Sequence, residues 1–168
     1  MQSDLEVKLL NRGLNGDLTS GMLERFPRDV VFERADYVII LGGTNDIGWG
    51  IDPSTITRNL TNMYDIALTE GIRVVACSVP SILGFDDLIP PRLGLNKMIR
   101  MEAQTRGIVF VDLFTQTADS RTNRLLEDFS ADGLHLNSKG YQHVAQCIFG
   151  KWLKPLLDEV RSGKAFLK

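Results

Sequence analysis

The sequence predicts a single α/β domain over residues 1–168, built as a three-layer sandwich around a parallel sheet. Short runs rich in β-branched residues alternate with longer segments whose apolar residues recur at helical spacing. The short runs are apolar on both faces, as parallel strands covered by helices must be. With 168 residues and 43% hydrophobic content, the chain is long enough to bury one full core.

Four segments have the composition of buried strands. Connections between parallel strands are right-handed, and ligands bind at loops that follow the carboxyl ends of the strands. That edge of the sheet is therefore the place to look for reactive side chains. The predicted strands are LEVKLLN (5–11), DYVIILGG (36–43), IRVVACSV (72–79) and GIVFVDLF (107–114).

Helices are predicted between these strands and after the last one. Proline at a first turn and glycine after a last turn mark their ends. Residues 161–168 are predicted to be a loose tail. The predicted helices cover 19–31, 53–70, 92–107 and 138–160, and the last should bury Tyr141, Val144, Ala145, Ile148, Trp152 and Leu156.

The amino-acid composition limits the classes of molecule that the protein is expected to bind. A net charge of −2 with interspersed signs favours neither nucleic acid nor an anionic membrane surface, and no apolar run is long enough to span a bilayer. The first residues lack a signal-peptide layout, so a cytoplasmic location is favoured unless a preceding segment carries an export signal. Cys77 and Cys147 lie far apart and are predicted to be buried free thiols. No cofactor is predicted.

The first motif is NRGLNGD at 11–17, directly after the first predicted strand. Gly13 and Gly16 permit tight turns and let a backbone N–H approach a ligand closely. The helix that begins near Thr19 points its positive end at the same space. The alternative is a plain turn from strand to helix.

The second motif is GGTNDIG at 42–48, directly after the second strand. The side-chain amide of Asn45 can donate a hydrogen bond there. Together with the N–H of Gly16, it would form an oxyanion hole, which stabilises the negative charge of a reacting carbonyl. The alternative is a turn capped by a side chain. Asp46 is expected to brace the loop rather than react.

The third motif is DGLHLN at 132–137, just before the last helix. Asp132 can hold one ring nitrogen of His135 and leave the other nitrogen free to accept a hydroxyl proton. The alternative is an Asp–His pair that ties the loop to the helix. The other histidine, His143, falls inside the last helix, and no cluster of ligands is visible, so no metal site is predicted.

Taken in order, the three motifs resemble those of the SGNH hydrolases, also called GDSL esterases and lipases. NRGLNGD matches that family's Asn-x-Gly-x-x-Gly-Asp stretch, GTND matches Gly-x-Asn-Asp, and DGLH matches Asp-x-x-His. The resemblance extends from Leu5 to the last helix and implies a flavodoxin-like sheet. It also implies oxyanion-hole roles for Gly16 and Asn45, a general-base role for His135, and an orienting role for Asp132.

The family's nucleophile has no counterpart at its usual position. Its Gly-Asp-Ser block lies at the end of a strand that would precede every segment seen here, so the sequence is expected to be N-terminally truncated. Ser20, within GDLTSG, is a weak candidate for a substitute. Four other serines are less well placed: Ser3, Ser78, Ser81 and Ser130.

The absent strand would lie between the first two predicted strands in the family's strand order. Its loss leaves a gap, a collapsed pairing of 5–11 with 36–43, or an open sheet edge. We therefore expect self-association or strand exchange.

The resemblance implies a serine ester hydrolase that acts on small acyl esters, such as acetyl groups on sugars. One alternative is a non-catalytic binding or assembly protein that keeps the cleft. Another is a hydrolase completed by a second polypeptide or by Ser20. The loops at 47–53 and 80–91 would set specificity; Trp49 offers a sugar-stacking face, and the second loop offers an apolar wall of Ile82, Leu83, Phe85 and Leu88.

Overall fold

A parallel sheet lies at the centre of the molecule. The structure, a computed structural model, describes residues 7–162. Within that range the sheet has three strands in the order β1-β2-β3, and β2 pairs with both neighbours. The strands are β1 (Tyr37–Ile40), β2 (Arg73–Cys77) and β3 (Val109–Val111). The parallel sheet is confirmed for three of the four predicted strands, each shorter than its apolar run.

Helices fill the connections between strands and follow the last strand. A π-helical turn at Pro27–Val31 extends α1, and another at Phe149–Leu153 joins α6 to α7. Three-residue 3-10 turns lie at Asp86–Leu88 and Glu127–Phe129. The helices are α1 (Thr19–Phe26), α2 (Thr44–Gly48), α3 (Pro53–Thr69), α4 (Ile89–Arg106), α5 (Leu113–Thr117), α6 (Ser138–Ile148) and α7 (Lys154–Arg161).

The helix boundaries follow the proline and capping signals of the sequence. Asp52 caps α3, because its side chain accepts a hydrogen bond of 2.8 Å from the backbone N–H of Ser54. Helix α4 begins at Ile89, three residues before the predicted start. Two prolines follow Ile89, and a helix tolerates proline in its first turn because those N–H groups have no partner inside the helix.

Two apolar cores pack on opposite faces of the sheet and make the three layers. Helices α1, α3 and α4 cover the face that carries Ile40, Val74 and Ala76. Helix α6 and the turn that follows it cover the face that carries Val75 and Val111. The carboxyl ends of all three strands point to the same edge, where α2 and the loops after β2 and β3 begin.

The first predicted strand is wrong as far as the structure describes it. Residues 7–11 form no strand and are exposed, and residues 5 and 6 lie outside the described part. A strand needs a neighbour to accept its backbone hydrogen bonds, and β1 pairs with β2 alone within the described residues. Pairing of 5–11 with 36–43 is accordingly absent over residues 7–11.

The predicted buried face of the last helix needs two corrections. Tyr141 is 60% exposed and Ala145 is also exposed, whereas Val144 and Trp152 are buried. The helix turns Gly140 inward, where a Cβ would lie 2.7 Å from the carbonyl oxygen of Phe129, and this rotation carries Tyr141 to the surface. Of the predicted loose tail, Arg161 is the last residue of α7, and residues 163–168 lie outside the described part.

Candidate active site

The turn that carries Gly16 leads directly into α1. Gly16 has φ of +74° and is exposed, and the backbone N–H of Asp17 donates to the carbonyl of Leu14 at 3.5 Å. Helix α1 begins at Thr19, three residues after Gly16. The backbone of Gly16 is thus open to a ligand at the amino end of α1.

Asn45 lies in the first turn of α2, which begins after a three-residue connection from β1. Gly43 makes this sharp change possible, with φ of +114°. A Cβ at that position would lie 2.8 Å from Cδ2 of Leu95. The amide nitrogen Nδ2 of Asn45 donates to the carbonyl oxygen of Asp17 at 2.8 Å, so Asn45 meets the Gly16 turn. The second hydrogen on Nδ2 can be donated to a ligand.

Asp46 fastens α1 to α2, which confirms its predicted bracing role. Its side chain is 1% exposed. Both carboxylate oxygens accept from the backbone N–H of Thr19 at 3.1 Å, and Oδ1 also accepts from the Thr19 hydroxyl at 2.6 Å. The turn that carries Gly16 and the helix that carries Asn45 are therefore held together by a buried charged contact as well as by the Asn45 amide.

Replacing Asp46 with alanine should lower the free energy of unfolding by about 2–3 kcal/mol, because it leaves the buried N–H and hydroxyl of Thr19 without an acceptor. Urea unfolding measures this. The control is Asp52→Ala, which removes an exposed helix cap and should cost about 1 kcal/mol. Equal losses in the two variants would contradict the bracing role.

His135 and Asp132 form the predicted pair. Nδ1 of His135 lies 2.7 Å from Oδ2 of Asp132. Oδ1 of Asp132 accepts from the backbone N–H groups of Leu134, at 2.9 Å, and His135, at 2.7 Å. Among the described residues, none hydrogen-bonds to Nε2 of His135, which leaves this nitrogen for an incoming group.

The loop that carries this pair packs against the loop after β2. The N–H of Leu83 donates to the carbonyl of Gly133 at 2.7 Å. Gly133 has φ of +90°, and a Cβ there would lie 2.6 Å from the carbonyl oxygen of Leu83. Only glycine allows the two backbones to approach this closely. Gly133, inside the Asp-x-x-His motif, therefore fixes the position of the loop that carries His135.

Hydrogen bonds lower the pKa of Asp132 from 3.8 to about 2. The backbone N–H of His135 contributes most, followed by the imidazole of His135 and the backbone N–H of Leu134. Because the pKa is lowered in the folded state, the stabilisation by this carboxylate is present above 3.8 and is lost as the pH falls through about 2.

The carboxyl carbon of Asp132 should therefore titrate in ¹³C NMR with a midpoint near 2 rather than 3.8. In the variant His135→Ala the two backbone donors remain, so the midpoint should rise but stay below 3.8. A wild-type midpoint at the ordinary value would show that these hydrogen bonds do not hold in solution.

A cavity of about 230 Å³ lies beside Asn45, and neither Gly16 nor the side chains of Asp132 and His135 line it. Asn45 lies in its wall, and so does Leu134, the neighbour of His135. Gly16 joins this group through the bond between Asn45 and Asp17. A larger cavity, of about 320 Å³, lies at the other end of the strands and holds none of the predicted site residues. The smaller cavity is lined by Thr44, Asn45, Gly48, Trp49, Ile82, Phe85, Leu88, Arg92 and Leu134.

The predicted specificity loops both reach this cavity. Trp49 is 78% exposed at its rim, and Ile82, Phe85 and Leu88 supply apolar wall. Leu83 does not line the cavity and instead donates its backbone N–H to Gly133. Arg92, which the sequence did not single out, also lines it. An arginine in a helix reads as a surface residue, so no sequence signal marked it.

No described serine hydroxyl hydrogen-bonds to His135. Ser20 is exposed on α1, and Ser3 lies outside the described residues. Ser78 donates to Asp112 at 3.2 Å and accepts from the N–H of Phe114 at 2.9 Å, so it fastens the loops after β2 and β3. Ser81 donates to the carbonyl of Asn123, and Ser130 accepts from Gly133 at 2.8 Å.

The second histidine and the two cysteines lie outside the proposed site. Nε2 of His143 lies 2.9 Å from the carbonyl oxygen of Gln116, and its ring stacks on Phe129. Cys77 is buried, and burial raises the pKa of its thiol to about 12. Cys147 is half-buried, and both thiols are free.

No helix within residues 7–162 combines the length and apolar character that a membrane crossing requires.

Comparison with known proteins identifies a family and its fold. A model described as the GDSL-like Lipase/Acylhydrolase family matches residues 1–143. An arylesterase of Vibrio mimicus is 24% identical over 162 residues, which are 90% of this chain and 72% of the relative. Esterase TesA of Pseudomonas aeruginosa is 30% identical over 89 residues, 53% of this chain and 40% of the relative.

The fold also matches solved structures. The crystal structure of a GDSL-like lipase from Bacteroides thetaiotaomicron superposes with a TM-score of 0.80 at 24% sequence identity. The match covers 86% of this chain and 75% of that chain. This similarity establishes the predicted α/β sandwich.

Proposed function

This chain belongs to the GDSL-like lipase/acylhydrolase family, and from that membership we propose that it acts as a serine-type hydrolase of small acyl esters. Two relatives are named as esterases, which supports ester hydrolysis at the level of the family. The cavity of about 230 Å³ is small for a ligand pocket and favours a short acyl group.

The observation that carries this proposal is that Asn45 and Leu134, the neighbour of His135, line the same cavity. A substrate carbonyl at Asn45 would have its oxygen near the side-chain amide and the backbone N–H of Gly16. It would also have its carbon on the side of Nε2 of His135. These are the positions that acyl transfer needs for an oxyanion hole and a general base.

The chemistry then follows in two steps. A serine hydroxyl attacks the carbonyl carbon while Nε2 of His135 takes its proton, and Asp132 orients and stabilises the imidazolium. The tetrahedral oxyanion is held by Gly16 and Asn45 until the C–O bond to the alcohol breaks and His135 returns the proton to the leaving oxygen. Water, deprotonated by His135, then hydrolyses the acyl-serine ester.

The attacking hydroxyl has two proposed sources. One is a strand ending in Gly-Asp-Ser that precedes these residues or comes from a second polypeptide. The other is Ser20. We call the protein an active form when either of these two sources supplies the attacking hydroxyl.

Incubation with p-nitrophenyl acetate and a serine-directed fluorophosphonate, followed by peptide mapping, separates these sources. A covalent adduct on Ser20 would assign the nucleophile to it. Absence of an adduct, with turnover restored when a Gly-Asp-Ser strand is fused before Met1, is the result we expect. If the fused protein also shows neither turnover nor an adduct, the hydrolase proposal fails.

A second candidate is a non-catalytic binding protein that keeps the cleft. The observation that favours it is that, among residues 7–162, no serine hydroxyl contacts His135. This candidate predicts that short esters bind to the cavity and are not hydrolysed, even after fusion of a Gly-Asp-Ser strand.

We also propose self-association through the open edge of β1. Within the described residues β1 pairs on one side only. Ile39 of β1 is 39% exposed, and Leu41, just after the strand, is 41% exposed. A second copy of the chain can pair with this edge and cover both side chains.

Analytical ultracentrifugation should therefore show a mass that rises with protein concentration. Ile39→Lys should shift the equilibrium to monomer, because a lysine on an edge strand opposes pairing. Leu68→Lys, at an equally exposed position on α3, serves as the control. A monomer at all concentrations would contradict the proposal.

A further inference from the structure

Arg92 carries a buried charge that the described protein does not neutralise. The residue is 1% exposed on α4. Its Nη1 makes one long hydrogen bond, of 3.3 Å, to the carbonyl oxygen of Leu88 in its own helix, and its Nε is buried with no partner. Within residues 7–162 no carboxylate oxygen lies within 4.0 Å of its guanidinium.

The half-buried arginines Arg25 and Arg106 are, by contrast, paired with acids. Arg25 contacts Asp17 at 2.8 Å and Asp29 at 2.7 Å. Arg106 contacts Asp65 at 2.7 Å. Burial lowers the pKa of Arg92 to about 10, so the guanidinium still carries its charge at neutral pH. A buried cation without a counter-ion destabilises a folded protein, so this arrangement needs a reason outside the packing of α4.

Arg92 lies at the cavity of the proposed site, and this position supplies the reason. It is part of the wall of the cavity that also contains Thr44 and Asn45. The rest of that wall is largely apolar, with Trp49, Ile82, Phe85, Leu88 and Leu134. A guanidinium in such surroundings is weakly screened and binds a carboxylate more strongly than an exposed arginine does.

We propose that Arg92 binds a carboxylate carried by the ester substrate, so that the preferred substrates are short esters with an anionic end. The inference rests on the proposed function, which places the reacting carbonyl at Asn45. The ester and the carboxylate then share one cavity of about 230 Å³, and this volume limits the spacer between them to a few carbon atoms. The ligand supplies the counter-ion that Arg92 lacks among residues 7–162.

The test compares two ligands of the same shape. Monomethyl succinate has an ester and a carboxylate, and methyl succinamate replaces the carboxylate with a neutral amide. Ligand-observed NMR titration of the whole chain should give a dissociation constant at least about 10-fold lower for the anionic ester. Arg92→Met should abolish this preference and leave the affinity for the amide within about twofold.

Two controls make the result specific. Arg58→Met removes an exposed arginine of α3 and should keep the preference. The melting temperature of Arg92→Met should rise by about 3 °C, because an unpaired buried charge is replaced by a side chain that packs. An arginine with a purely structural role would instead lower the melting temperature when replaced.

The outcomes separate this inference from the proposed function. Equal affinities for the two ligands in the wild type would overturn the role of Arg92 and leave ester binding standing. A preference that survives Arg92→Met would also overturn it. If neither ligand binds, both the inference and the proposed ester site fail.

Discussion

Replacing His135 with alanine is expected to lower kcat for a short acyl ester by about 10⁴–10⁶-fold in an active form of the protein. No described side chain other than Asp132 hydrogen-bonds to the imidazole of His135, and Nε2 is open to a hydroxyl. Without the ring, nothing accepts the proton from the attacking oxygen. KM should change little, because the cavity wall is formed by Leu134 and not by the imidazole.

The other histidine provides a matched control. His143 lies 2.9 Å from the carbonyl oxygen of Gln116 and stacks on Phe129, away from the cavity. His143→Ala should reduce stability and leave kcat within a few-fold of the wild type. Equal losses of kcat in the two variants would mean that the effect of His135 comes from folding rather than from proton transfer.

Replacing Asn45 with alanine is expected to lower kcat by about 10²–10³-fold in the active form, because one donor to the oxyanion is lost. The same variant should lose about 1 kcal/mol of unfolding free energy, since Nδ2 also donates to the carbonyl of Asp17 at 2.8 Å. The sequence offers a turn cap as an alternative role for this motif but does not predict the contact of Asn45 with Asp17. Kinetics and urea unfolding of one preparation measure both effects.

The variant Asn59→Ala separates the contribution of Asn45 to catalysis from its contribution to stability. Nδ2 of Asn59 donates to the hydroxyl of Thr19 at 3.1 Å, in a part-buried contact of the same kind, and Asn59 does not line the cavity. Its replacement should cost a similar amount of stability without the large loss of kcat. If both variants lose activity equally, Asn45 supports the loop and does not donate to the oxyanion.

One motif of the proposed site could be placed from the sequence because it follows a strand end. Asn45 lies in α2, which follows β1 after three residues, and parallel strands bring their carboxyl ends to one edge of the sheet. The pairing of Asp132 with His135 follows from their spacing in a short loop. These inferences depend on local order along the chain. Asn45 lines the cavity of about 230 Å³, whereas the Asp132–His135 pair reaches it only through Leu134, the neighbour of His135.

Other features depend on contacts between distant parts of the chain, which the sequence pattern does not reveal. Residues 7–11 are apolar enough for a strand, yet a strand forms only beside a neighbour that accepts its hydrogen bonds. Tyr141 fits the apolar spacing of α6, but the close approach of Gly140 to Phe129 rotates it outward. The burial of Arg92 follows from the way α4 packs against the cavity, and no local motif encodes it.

The convergence of Gly16, Asn45 and His135 is tested most directly by an NMR titration of the chain with methylphosphonate, a small tetrahedral anion. The amide of Gly16, the side-chain NH₂ of Asn45 and the imidazole of His135 are observed in ¹⁵N spectra. We predict that all three signals shift together and give one dissociation constant. Signals that respond with different dissociation constants, or a shift of only one of them, would contradict a single shared site.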